Sequence, residues 1–251
     1  MTYSIIAQCP DTGAFGGAIG TSSLAVGNRC LHIRHGHGAF LSQHRTDPRL
    51  GVKGADLLAS GKSATAAMAE VVEAPDIGWR QLAALDAQGG TAFHHGDMIY
   101  SITTEAIGDR CIAVGNILDN DQVTAAMVEA FEGSAGRMLE DRLVTALEAG
   151  RDAGGEALEP LHSSALRVSG PDGMDRCDLR IDCADEAAGA LRELLDVYGD
   201  QAETLRRLAF DPGKVPITRP LFDASIRRIR ELGLAERFPT ERQAKRWNVK
   251  G

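Results

Sequence analysis

Thr2-Tyr3-Ser4-Ile5-Ile6-Ala7-Gln8-Cys9, then Asp11-Thr12-Gly13, then Phe15-Gly16-Gly17-Ala18-Ile19-Gly20-Thr21-Ser22-Ser23 open the chain. Two apolar runs of strand length flank a turn-forming tripeptide, which predicts a β-hairpin. With the turn centred on Asp11 to Gly13, antiparallel pairing sets Thr2 opposite Ser22 and Ser4 opposite Gly20, each pair on one face.

The second residue matters chemically. A Thr behind the initiator Met is small enough for aminopeptidases to expose it, and the chain then begins with a nucleophile and its own base. A free α-amine titrates at about 7.7–8.0, near neutral pH, and reaches the hydroxyl of its own residue through a water. A retained Met1 puts that amine on the wrong residue. The plainer reading of Thr2 is a β-branched start to a strand.

Further along, Arg29 to Arg34 and Ala39 to His44 read as two strands joined at Gly36-His37-Gly38. Glycines beside the tip permit the positive φ of a tight turn. Lys53 to Leu58 reads as a short helix ended by Gly61, and Ser63 caps a second running to about Glu73. Trp79 to Asp86 and Thr91 to His95 form another hairpin across Gln88-Gly89-Gly90, and Cys111 to Asn116 is a short buried strand. Helices follow at Asp121 to Glu132 and Arg137 to Ala149, then a hairpin of Ser163 to Val168 with Asp178 to Asp182, and a helix capped by Asp185. Strands, a central pair of helices, and strands again predict an α+β layering rather than alternating βαβ units.

The 251 residues suffice for one large core, and five cysteines, odd in number and without C-x-x-C spacing, read as reduced thiols. No apolar run is long enough to span a bilayer and no export signal is read, so a soluble cytoplasmic protein without a membrane partner is expected. The net charge of -8 is uneven: residues 201–251 carry 12 Lys/Arg against 6 Asp/Glu, while residues 1–200 carry 15 against 29. Two regions are therefore expected, 1–200 as the layered domain and 201–251 as a basic helical extension. The tail interleaves its charges with Leu205, Leu208, Phe210, Ile226 and Ile229, a pattern of helices that dock on an acidic body in a homo-oligomer. No nucleic-acid-binding module accompanies the charge, so nucleic acid is not the expected partner.

Several blocks resemble one known family. Met1 to Ala7, Ser23-Leu24-Ala25-Val26-Gly27, Gly38 to Gln43, Asp47-Pro48-Arg49-Leu50-Gly51 and Val114-Gly115-Asn116-Ile117-Leu118 are similar to the DUF1028 family, as are Ala149 to Gly155 and Asp178 to Asp182. The resemblance implies the αββα sandwich of N-terminal nucleophile hydrolases, two antiparallel sheets between helical layers. It implies a hydrolase without naming a substrate. The chain departs from the family pattern at Glu156 to His162, before Ser163-Ser164-Ala165, which implies a different pocket there.

Acyl transfer needs a nucleophile, a base and donors for the oxyanion. Thr2 is the candidate nucleophile, Asn116 the candidate oxyanion donor, and Ser22, Ser23, Gln43 and His44 are candidate binding residues; taken singly, such polar residues at strand ends read as turn formers. The substrate expected is a small molecule with an amide-type bond, and no cofactor is called for. Two other readings stand beside this one. A catalytically silent member of the same fold binds a metabolite or serves as a subunit. Alternatively, His32, His35 and His37 hold a metal, although on a strand His32 faces one side and the other two face away, so no metal ligand is assigned. Cys9 and Cys30 read as buried thiols, and Asp11-Thr12-Gly13 as a turn.

Overall fold

The computed structural model describes residues 2–157, 160–215 and 220–237. Met1, whose removal the expected role of Thr2 would need, and the end of the basic tail lie outside the described residues. By its contacts the chain divides into Met1–Arg192 and Glu193–Gly251.

The first unit holds β1 (Thr2–Gln8), β2 (Phe15–Thr21), β3 (Leu31–Arg34), β4 (Gly38–Gln43), β5 (Gln81–Asp86), β6 (Thr91–His95), β7 (Thr103–Gly108), β8 (Cys111–Asn116), β9 (Ser163–Ser169) and β10 (Asp175–Ile181). They form two antiparallel sheets, ordered β10-β9-β2-β1-β8-β7 and β3-β4-β5-β6. The helices α1 (Pro48–Ala59) and α2 (Ala64–Val71) cover the outside of the four-stranded sheet, and α3 (Val123–Gly133) and α4 (Leu139–Asp152) the outside of the six-stranded one. The result is an α+β sandwich with two sheets inside and helices outside. Ile6, Phe15, Leu41, Leu85, Ile112 and Val114 fill the space between the sheets, while Phe40, Leu58, Met68 and Leu82 pack α1 and α2 onto theirs. Small residues on β2 serve the same end: a Cβ on Gly16 or Gly20 would come within 2.6 Å of Leu143 or Leu161, so their absence lets α4 and the chain after it approach the sheet.

The opening hairpin forms with a register one residue away from the sequence expectation. Tyr3 pairs with Gly20 and Ser4 with Ile19. The turn sets this: Cys9 N–H donates to Ala14 O, Gly13 N–H donates to Cys9 O, and Gly13 takes a left-handed φ of 68°. Thr21, not Ser22, is thereby the neighbour of Thr2.

Three other details differ from expectation. The first helix begins at Pro48 rather than Lys53, because the Asp47 carboxylate accepts the Arg49 N–H at 3.0 Å and Pro48 fits the first turn. β7 was not expected; its residues are half-buried and exposed rather than continuously apolar. At the start of α5 (Ala187–Phe210), Glu186 rather than Asp185 takes the orphan donors, accepting from Ala188 N–H at 3.1 Å and Gly189 N–H at 2.6 Å.

The second unit contains the rest of α5, which runs unbroken through Asp200, and α6 (Pro220–Glu231). Among the described residues no helix is long and apolar enough to cross a membrane.

Candidate functional site

β1 lies in the middle of its sheet, between β2 and β8, and all seven of its residues are buried. Alternation sends Ser4 and Ile6 into the space between the sheets, and Tyr3 and Ile5 toward the helical layer. Moving from Ile6 toward Thr2, the apolar core gives way to polar side chains. Ser4, Gln43, Gln81 and Asn116 are all fully buried, and they come from four strands, two in each sheet.

These four form one connected network, as buried polar groups must. The Ser4 hydroxyl donates to Gln43 Oε1. Gln43 Nε2 donates to Gln81 Oε1 at 2.6 Å, and Asn116 Nδ2 donates to the same oxygen at 2.8 Å. Gln81 Nε2 donates to the Gly115 carbonyl at 2.7 Å and to His95 Nδ1 at 2.8 Å. The carbonyl can only accept, which fixes the orientation of the Gln81 amide. His95 Nδ1 is then an acceptor, so its Nε2 carries the proton and donates to Glu105 Oε2 at 2.9 Å. Burial lowers the His95 pKa, with Glu105 opposing.

Thr2 is 7% exposed and lies two residues further out than Ser4 on the same face of β1, paired with Asn116 of β8. Its hydroxyl donates to Thr21 Oγ1 at 3.3 Å. Asn116 commits one N–H to Gln81, whereas its Oδ1 is buried without a partner.

The chain leaves several strands at this end in strained form. Ala25, His44, Arg45 and Ile117 all have φ between 44° and 55°, although none is glycine. For β-branched Ile117, directly after Asn116, this conformation is costly, and such strain gathers where a site over-determines the backbone. His44, directly after Gln43, is buried with Nδ1 on the Trp79 carbonyl at 2.7 Å, and burial lowers its pKa. Tyr100 meets its ring edge-on at 6.2 Å and is itself 76% exposed.

The two serines lie on the loop leaving β2. Ser22 is half-buried, and its N–H points at both oxygens of Glu156, at 2.9 and 3.0 Å. Ser23 is exposed and accepts from Arg29 Nη2 at 2.6 Å. The histidines of the β3–β4 hairpin disperse: His32 turns to the Arg29 carbonyl, and His35 to Asp175 at 3.3 Å. Among the described residues no three His, Cys, Asp or Glu side chains gather where they would hold a metal ion. Cys30, Cys111 and Cys177 are buried thiols with raised pKa values, Cys111 pushed up to about 12.

Residues 2–191 match a family described as a family of unknown function, DUF1028. The chain belongs to the DUF1028 family. A solved DUF1028-family structure from Silicibacter pomeroyi is 33% identical, covers 84% of this chain and 87% of its own, and superposes with a TM-score of 0.71. Anbu, an ancestral β-subunit from Yersinia bercovieri, matches at 11% identity over 86% of this chain and 99% of its own, with a TM-score of 0.38. No curated protein matches.

Five residues of this DUF1028 chain that lie in or beside the candidate site were not singled out from sequence. Thr21 was displaced by the one-residue register difference. Gln81 opens an apolar strand and looks like a strand end; only the facing of the two sheets makes it a hub. His95 and Glu105 meet across two sheet edges, β6 and β7, and β7 was itself unforeseen. Glu156 falls where the chain departs from the family blocks, which was the one signal available for it.

Proposed function

We propose that this DUF1028 protein is a hydrolase of the N-terminal nucleophile type, cleaving an amide-type bond in a small molecule, with Thr2 as nucleophile once Met1 is removed. The observation that carries the reading is the placement of Thr2. It begins a central strand at the polar end of the inter-sheet space, its hydroxyl on Thr21 and its backbone paired with Asn116.

In this reading the Thr2 α-amine takes the hydroxyl proton through a water while Oγ1 attacks the amide carbon. The C–N bond then breaks, and the departing amine takes that proton. A second water hydrolyses the resulting ester, releasing the acid and restoring the hydroxyl. Asn116 is held by Gln81 with one N–H uncommitted, able to donate to the tetrahedral oxygen, and with Oδ1 able to orient the α-ammonium. Gln43 keeps the network aligned, while Ser22, Ser23 and His44 flank the substrate. The basic tail docks on an acidic body in a homo-oligomer.

Intact-mass measurement of the natively expressed chain, followed by a covalent inhibitor directed at N-terminal Thr, tests this. Loss of Met1 and a single adduct on Thr2 are expected, with no adduct on Thr2→Ala. A retained Met1 with no adduct overturns it and leaves the catalytically silent reading.

A further inference from the structure

Glu156 is a buried carboxylate that the hydrolysis just described leaves unused. Its place is set by the strands on either side of β1. Gly154 and Gly155, with φ of 128° and 60°, turn the chain off the end of α4. The chain then meets the exit of β8, where Ala157 N–H donates to Ile117 O at 3.2 Å and Glu156 forms an isolated bridge with Leu118. The strained Ile117 thus spends its carbonyl on the residue next to Glu156. The Glu156 side chain reaches the exit of β2, where its two oxygens accept the Ser22 N–H at 2.9 and 3.0 Å. Because β1 lies between β2 and β8, Glu156 spans the end of the strand that Thr2 begins.

The Thr21 hydroxyl donates to the same carboxylate, and Thr21 Oγ1 accepts the Thr2 hydroxyl at 3.3 Å. A hydroxyl carries one proton, so Thr21, having given its own to Glu156, meets Thr2 as an acceptor. Burial raises the Glu156 pKa, while the Ser22 hydrogen bonds, the positive charge of the chain's N-terminus and the Thr21 hydroxyl pull the other way. Removal of Met1 moves that charge onto Thr2, at the strand end that Glu156 spans. The other ionisable groups nearby are neutral or engaged elsewhere. Arg151 lines the same cleft as Tyr3 and Glu156, but Asp152 binds its Nε at 2.8 Å and Glu186 lies 3.6 Å from its Nη1. Burial raises the Tyr3 pKa and lowers that of His44, and His162 turns its ring to the Ala184 carbonyl at 3.0 Å.

We infer that Glu156 is a positioning residue for the Thr2 nucleophile, counter-ion to its α-ammonium and, through Thr21, anchor of its hydroxyl. The inference rests on the reading of Thr2 as nucleophile. An opposite charge raises the pKa of an amine, so the Thr2 base is stronger with Glu156 than without it and is freed at higher pH.

A β-lactone tests this on the full chain with Met1 removed. Thr2 Oγ1 attacks the lactone carbonyl, the ring C–O bond breaks, and the hydroxyl proton ends on the freed oxygen. The labelling rate rises with pH as the amine loses its proton. In Glu156→Gln the midpoint of that rise should fall by about one pH unit, and the plateau rate about tenfold. Glu156→Asp, which keeps the charge on a shorter stem, should restore the midpoint while the plateau stays low. A midpoint in Glu156→Gln equal to the parent's overturns the inference and leaves Thr2 as nucleophile. A parent chain not labelled at Thr2 overturns the nucleophile reading, and this inference with it. A measurement without any variant guards against loss of fold: the Thr2 methyl shift, followed with pH in the parent, should give an amine pKa above the free value of about 7.7–8.0. A value at or below it overturns the counter-ion role.

Discussion

Asn116 on β8 and Gln81 on β5 join the two sheets by a single buried hydrogen bond, Asn116 Nδ2 to Gln81 Oε1 at 2.8 Å. Four other groups depend on the same amide or lie one bond from it: Gln43, His95, the Gly115 carbonyl and, through Gln43, Ser4. Replacing Gln81 with Leu keeps the size and strands these partners in a buried space. Each stranded group costs about 1–3 kcal/mol, so a total loss of roughly 3–5 kcal/mol is expected. Urea unfolding of Gln81→Leu measures it, and a variant as stable as the parent would show that the network does not hold the sheets together.

Thr21 receives the Thr2 hydroxyl at 3.3 Å and touches Ser23 Oγ at 3.4 Å. Thr21→Val is nearly isosteric and removes only the hydroxyl. If that oxygen aligns Thr2 for attack, hydrolysis falls about tenfold in kcat with little change in KM, because the contact matters most when the nucleophile loses its proton. A rise in KM at constant kcat would assign Thr21 to substrate binding instead.

The order of strands and helices was legible because alternation and turn residues report local geometry. Asp11 to Gly13, Gly36 to Gly38 and Gln88 to Gly90 each marked a real hairpin. Register was not legible, since it depends on how Cys9, Gly13 and Ala14 close one turn, and a shift of one residue exchanges Ser22 for Thr21 beside Thr2. Thr2, Gln43 and Asn116 were singled out because they end strands inside recognisable blocks, and the structure brings Gln43 and Asn116 into one polar network with Thr2 paired beside Asn116. Gln81 and His95 were not, because a polar residue in an apolar strand gains meaning only from the sheet that faces it.

The pH dependence of stability has a definite sign. Burial holds the pKa values of His32, His44 and His95 below the usual imidazole range. The unfolded chain takes up protons as pH falls through about 6.5, while the folded chain resists until its lower values are reached. The three histidines thus contribute fully above that range, and their contribution is lost as pH falls through the folded values. Glu156, raised by burial, works in the opposite direction, but one carboxyl faces three imidazoles. The urea midpoint should therefore be lower at pH 5.5 than at pH 7.5. An equal or higher midpoint at pH 5.5 would mean that these histidines are not buried in the folded protein.

Tyr3→Phe offers the last expectation, and its direction is unusual for a fully buried residue. The ring packs against Gly150 of α4 and Gly155 after it, where added Cβ atoms would come within 3.0 Å and 3.6 Å of the Tyr3 ring. Phe keeps those contacts. The hydroxyl it removes is desolvated and unpartnered, a state that costs about 1–3 kcal/mol, so the variant should be more stable than the parent by about 1 kcal/mol. Thermal unfolding of both chains reads the difference. Destabilisation by Tyr3→Phe would mean that the hydroxyl already has a partner in the folded chain.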